Sequence, residues 1–255
     1  MVTQYERWRD HEGILSMTEC DVHVWRIPLE TSPASLEEFR LLLDATEKER
    51  ARRFRFERDR RRYIVAHGTL RMLLGAYLQM DASALRFVTN AYGKPALAQA
   101  QHVQHLSFNL SHSHELALLA VTWRRELGVD VEYKRNDIEY DELARHSFSP
   151  YEQEQLRTLP ASMKEDGFFA CWTRKEAYIK ARGMGLSLAL DLFDVSLHPA
   201  EQAQFLASRE DPREVERWSL VNLEPDPGYA GALMVEGKGW DLRLWHWPGS
   251  RKSEK

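Results

Sequence analysis

The chain has 255 residues, 43% hydrophobic and 29% charged, with a formal net charge of −4. That composition can build one large or two small cores and excludes a disordered chain. No run approaches the roughly 18 apolar residues of a spanning helix, and the acidic total argues against general nucleic-acid affinity.

The amino terminus, MVTQYERWRDHEGILS, mixes charges with no apolar core segment, so neither a secretory leader nor a membrane anchor is expected and the location expected is cytoplasmic. Cys20 and Cys171 lie far apart and outside any C-x-x-C pattern, which predicts two reduced core thiols, with no disulfide framework or zinc site. After a short strand, DVHVWRI, the stretch TEKE reads as a capping box, Thr46 with Glu49. RARRFRFERDRRR, from Arg50 to Arg62, then holds eight Arg against Glu57 and Asp59, either a solvated basic helix face or a trap for a polyphosphate, an acidic protein or nucleic acid. AYGKPAL is a loop signal in which Gly93 permits close backbone approach and Lys94 supplies charge.

Three strand patterns follow, HLSFNLS, ELALLAVTW and LGVDVEY, and their short polar turns predict an antiparallel meander. The turn NLSHSH brings Asn109, Ser111 and His112 to a strand end, where Ser and His can donate to a phosphate. His102, His105 and His114 lack a matching fourth ligand for zinc. SPYE is a second capping box, Ser149 with Glu152, and Pro150 occupies the favoured first helical position. WSLVNLE, YAGALMVEG and WDLRLWHW read as further strands and RKSEK as a frayed tail.

YIVAHG, from Tyr63, returns as YIKARG, from Tyr178, each on a basic helix preceded by a capping box and a strand. The shared order predicts an α+β protein of two similar halves, near 1–122 and 123–255, each a small antiparallel sheet packed with helices that include one long helix. No low-complexity linker separates them, so tight packing is expected.

FFACWTRKEAYIKAR has no Pro or Gly, is rich in helix formers and stops at Gly183, a natural C-cap. Phe168, Phe169, Trp172, Ile179 and Lys180 share a stripe of roughly 120°, with Glu176 near its middle. A carboxylate on an inward face needs a partner: Lys180 one turn on, a backbone donor or a cation. In LGVDVEY, Leu127, Val129 and Val131 share one face and leave Asp130 and Glu132 together on the other, about 7 Å apart along the backbone. Such a pair is ordinarily the wet face of an edge strand. A third carboxylate, for which Glu176 is the candidate, would make it a seat for a hard divalent cation such as Mg2+.

Together GKPAL, FNLSHS, GVDVE and WTRKEAYIKARGMGL, with RARRF and DRRRY before them, resemble the 4′-phosphopantetheinyl transferases of the larger, surfactin-synthetase-activating type over roughly residues 46 to 195. The resemblance implies a pseudo-twofold monomer that binds coenzyme A between its halves and moves the phosphopantetheine arm onto a serine of an apo acyl or peptidyl carrier protein. On the matching positions Asp130, Glu132 and Glu176 would hold Mg2+ on the pyrophosphate, and Lys180 would reach the same group. Arg50, Lys94, Ser111 and His112 would hold the phosphates or adenosine, with Gly93 and Pro95 shaping the loop around the base. Glu152 matches a position proposed as general base but also fits the N3 slot of its capping box, where Gln would serve equally well. One turn before Arg50 the family's basic site is acidic here, Glu47, which leaves Lys48 as a substitute. The rival classes are a basic module for RNA or anionic proteins and another Mg2+-dependent nucleotide enzyme using the same carboxylates; the reading adopted expects no nucleic-acid and no membrane partner.

Overall fold

Strand β1 (Arg9–Asp10) and strand β2 (Asp21–Pro28) lead into helices α1 (Pro33–Leu42), α2 (Ala45–Arg52) and α3 (Glu57–Leu78) in the computed structural model, which describes residues 7–11, 14–99, 105–135 and 139–248. The hairpins β3 (Phe87–Thr89) with β4 (Pro95–Leu97) and β5 (Leu106–Ser113) with β6 (Leu116–Trp123) complete the first half. The second half repeats the order. Strand β7 (Leu127–Tyr133) precedes α4 (Tyr140–Ser147), α5 (Pro150–Thr158) and the long α6 (Lys164–Arg182), followed by β8 (Phe193–Val195), β9 (Phe205–Ser208), α7 (Glu214–Arg217), β10 (Trp218–Leu223), β11 (Tyr229–Glu236) and β12 (Asp241–His246). YIVAHG lies on α3 and YIKARG on α6, so the internal duplication is a duplication of long helices.

The expected three-strand meander does not form. β6 is buried along its whole length and pairs with β2 on one edge and β5 on the other, so it has no edge left to offer β7. β7 instead pairs with β11 in a second sheet of order β10-β11-β7. Nor does the last strand stay with its own half. β12 lies parallel to β2, and the first sheet runs β1-β12-β2-β6-β5, so it is mixed rather than antiparallel.

One core lies under α3, including Leu70, Leu73, Leu119 and Val121, and another under α6, including Phe168, Tyr178, Phe193 and Met234. A third joins the halves. Val22, Val24, Leu118 and Ala120 of the first sheet meet Leu127, Val129, Val131, Leu233 and Val235 of the second, all of them inaccessible to solvent. Burial of each large aliphatic side chain contributes about 1.5–3 kcal/mol, so the halves are held by a core, as the missing linker led one to expect.

Two local expectations change. The first capping box begins at Asp44, not Thr46: the Glu47 N–H donates to Asp44 Oδ1 at 2.9 Å, and Glu47 Oε2 accepts from the Asp44 N–H at 3.0 Å. Both D-x-x-E and T-x-x-E are present in DATEKE; buried Arg71 selects the first by bonding Asp44 and Glu47 together, at 2.9 and 2.7 Å. Cys171 is a buried thiol as expected, whereas Cys20 is exposed, because it sits in the turn that precedes β2; both are free. No described helix is long and apolar enough to cross a membrane. The tail RKSEK and His102 lie outside the described residues.

Candidate active site

The site is set by how α6 lies on β7. A Cβ on Gly128 would fall on the Ala177 carbonyl oxygen and the Ala181 nitrogen, and only 2.8 Å from the Lys180 carbonyl carbon, so only glycine lets the helix backbone come this close. α6 ends where expected, at Gly183 with φ +64°. Leu127, Val129 and Val131 face the core between the halves, and Asp130 and Glu132 face the other way, beneath Glu176 and Lys180.

β5 supplies the opposite wall. β5 and β7 are edge strands of different sheets, and side chains rather than a backbone ladder join them. Asn109 Oδ1 accepts the Val129 N–H at 2.9 Å, Ser111 Oγ donates to Asp130 Oδ1 at 2.9 Å, and Ser113 Oγ donates to Glu132 Oε2 at 2.8 Å. Ser113 Oγ also accepts the Tyr133 N–H at 3.1 Å. Lys180 Nζ closes the group, 2.6 Å from Asp130 Oδ1 and 2.8 Å from Ser111 Oγ. The two-residue alternation of Asn109, Ser111 and Ser113 matches that of Asp130 and Glu132; Ser113, which sequence reading passed over, was visible in that alternation.

Of the three partners open to Glu176, Lys180 is taken by Asp130, and Glu176 has no hydrogen bond or ion pair among the described residues. Burial and then the Asp130 charge push its carboxyl above the ordinary range; burial and Asp130 do the same to Glu132. Asp130 is 2% exposed, and its Oδ2 is buried with no partner. One lysine thus faces three carboxylates. Among the described residues no three His, Cys, Asp or Glu side chains stand close enough to hold a metal ion as they are.

On the first half, exposed Arg50 rests over the Tyr63 ring, 5.7 Å from its centroid. Several of its neighbours pair with acids: Arg52 and Arg53 share Glu49, Arg58 pairs with Asp59, Arg60 with Glu57 and Arg62 with Glu115. His112 is open to solvent at the end of β5 but crowded by protein, and this desolvation, followed by the charges of His67, Lys180, Arg50 and Arg62, holds its pKa below the ordinary value. Gly93 forms the β3–β4 turn at φ +88°, and Pro95 opens β4. Lys94 is not free: Nζ donates to Glu126 at 2.9 Å and to the Ala181 and Leu127 carbonyls at 3.0 and 3.2 Å. With Asn90 Nδ2 on the Gly183 carbonyl at 2.7 Å, it clamps the β3–β4 hairpin to the C-terminus of α6.

Glu152 lies apart from this group. The Ser149 capping box forms as expected, but Glu152 is fully buried, and its carboxylate also accepts from Lys175 Nζ at 2.7 Å and the Val195 N–H at 2.8 Å. Lys175 donates in turn to the Phe193 carbonyl at 2.7 Å.

A family profile described as the 4′-phosphopantetheinyl transferase superfamily matches residues 126–234, and one described as 4′-phosphopantetheinyl transferase, N-terminal, matches residues 30–124. The 4′-phosphopantetheinyl transferase HetI of Nostoc sp. is 38% identical over 94% of this chain and 98% of its own length. The 4′-phosphopantetheinyl transferase Sfp of Bacillus subtilis is 32% identical over 77% of this chain and 84% of its own. The L-aminoadipate-semialdehyde dehydrogenase-phosphopantetheinyl transferase of Homo sapiens is 30% identical over 60% of this chain and 52% of its own.

Proposed function

Because the chain belongs to the 4′-phosphopantetheinyl transferase superfamily, we propose that it transfers the 4′-phosphopantetheine arm of coenzyme A to a serine of an apo acyl or peptidyl carrier protein and releases 3′,5′-ADP. The observation that carries this reading is the packing of α6 on Gly128, which gathers Asp130, Glu132, Glu176 and Lys180 on one side of β7 against Ser111 of β5. Arg50 and His112 of the other half would meet the same nucleotide, since His112 lies within the electrostatic reach of both Arg50 and Lys180. Both halves belong to one chain, which supports action as a monomer.

The donor set fits a divalent cation. Asp130 Oδ2 is orphaned, and Glu132 and Glu176 are both held above the carboxylate range by burial and shared negative charge. Asp130, Glu132 and Glu176 would hold it, and oxygen-only ligands favour Mg2+. Bound there, Mg2+ would neutralise charge on the pyrophosphate.

The chain's own part is electrostatic positioning. The serine hydroxyl of the carrier protein attacks the phosphorus bearing the pantetheine arm, that P–O bond forms, the bond to 3′,5′-ADP breaks, and the serine proton leaves to water or to the departing phosphate. Charge collects on the leaving group. Lys180, fixed by Ser111 and Asp130, would offset it without reorganising, and Arg50 on the opposite half would hold another phosphate of the same nucleotide. Ser111 and His112 would hold phosphate oxygens, and Gly93, Lys94 and Pro95 would border the base. Lys94 would do so from its seat on α6. The burial of Glu152 supports anchoring of α6 rather than contact with the substrate.

Incubation with coenzyme A, Mg2+ and an apo carrier protein, followed by intact-mass spectrometry, tests the reading: a phosphopantetheine adduct is expected on the carrier. No adduct on either an acyl or a peptidyl carrier overturns it.

A further inference from the structure

A column of three side chains stands where α2 meets α3. Arg50 lies over the Tyr63 ring at 5.7 Å, and the His67 imidazole stacks on that ring, centroids 4.1 Å apart. Behind them Glu47, the acid at the site where the family resemblance implies a base, is turned inward. Its Oε2 accepts from Arg71 Nε at 2.7 Å, and its Oε1 bonds His67 Nδ1 at 3.1 Å. A carboxylate on one ring nitrogen fixes which nitrogen faces outward. Nε2 of His67 has no hydrogen-bond partner among the described residues, and the side chain is 22% exposed. Arg50 likewise has no carboxylate partner there.

Coenzyme A carries two separate anionic groups, the reacting pyrophosphate and the phosphate on the ribose 3′ oxygen. The carboxylates and Lys180 belong to the reaction, so the pyrophosphate goes to that end. The second group then meets the end built by Arg50 and His67. The two ends are near one another, since His112 feels the charges of both His67 and Lys180. We propose that His67 is a ligand of the 3′-phosphate of coenzyme A, presented by Glu47 and acting beside Arg50. The inference rests on the coenzyme A reading above. It also accounts for Glu47, which supplies no contact of its own but orients a histidine that does. Protonated, the ring presents Nε2–H to the phosphate as a charge-assisted donor.

Titration calorimetry with coenzyme A and with 3′-dephospho-coenzyme A, on the full-length protein and on His67→Ala, tests it. The wild type is expected to prefer coenzyme A. His67→Ala should lose about tenfold in affinity for coenzyme A, the order expected for one charge-assisted hydrogen bond, and none for the dephospho form, so the preference shrinks. A merely structural role would weaken both nucleotides together. If His67→Ala does not fold, His67→Gln, which keeps a hydrogen-bonding side chain without the charge, carries the same comparison. An equal preference in wild type and variant overturns the His67 assignment and leaves the coenzyme A reading standing; a wild type that binds neither nucleotide overturns both.

Discussion

Glu176 and Glu152 are both glutamates on the inner side of the second half, and their surroundings are opposite. Glu176 has no hydrogen-bond partner among the described residues and two like charges nearby, so burial and repulsion disfavour its charged form; on the function proposed above, a cation would relieve that cost. Asp130→Ala and Glu176→Gln should therefore lower kcat by well over tenfold, beyond ~1.4 kcal/mol of barrier, while circular dichroism and melting stay near wild type. A Glu176→Gln enzyme that keeps a tenth of wild-type kcat would remove Glu176 from the site. Glu152 instead has three donors, the Ser149 and Val195 N–H groups and the fully buried Lys175. Gln fits the capping box yet leaves the Lys175 ammonium unpaired in the core, a loss on the order of 3–5 kcal/mol. Glu152→Gln should therefore show a large drop in urea stability with near-normal kcat per folded molecule. A general base would give the reverse, a stable protein with kcat down ~10²-fold.

Among the elements, the contact of α6 with β7 admits no side chain at Gly128. Gly128→Ala must push the helix off the strand, at a cost of about 1–3 kcal/mol, and it moves Glu176 and Lys180 away from Asp130. Transfer should fall far more than stability, which paired melts and kcat measurements would show. In β2, His23 is 3% exposed and bonds the Tyr77 hydroxyl at 2.7 Å through Nδ1. Burial, with smaller contributions from His11 and Arg243, holds its pKa down to about 4, against the opposing charge of Asp21. Above pH ~6.5 the ring is neutral in both folded and unfolded chains, and its contribution to stability is complete. As pH falls from there toward 4, the unfolded chain takes up a proton that the native chain refuses, and about 3 kcal/mol is lost. Urea melts across that range should show a shallower decline for His23→Gln than for wild type.

At the scale of the whole molecule, the halves are similar in design but interlocked in structure. β12 inserts between β1 and β2, and its Leu242 and Leu244, with Trp240 just before it, belong to the core that joins the sheets. Ending the chain at residue 240 would bare an edge of β2 and open that core. Such a truncation, and equally a fragment of residues 1–124, should lack cooperative melting and dispersed amide resonances, whereas the full chain should melt in one transition. Two transitions in the full chain would show that the halves are independent domains.

What could be read in the chain itself was whatever local geometry dictates. A period of two places Asp130 opposite Val129 and Val131, a run of helix formers ended by glycine fixes α6, and a repeated order of elements announces two halves. The carboxylate group was legible for that reason, because each member's face follows from its own strand or helix. The partner of β7, the crossing of β12, the choice of Asp44 over Thr46 as cap, the clamp of Lys94 on α6 and the pairing of Glu152 with Lys175 were not. Each depends on groups distant in sequence: which sheet edges are already occupied, and which buried charges find an opposite charge. Those are decided only when the cores close, since an edge or a charge has no preferred partner until water is excluded around it.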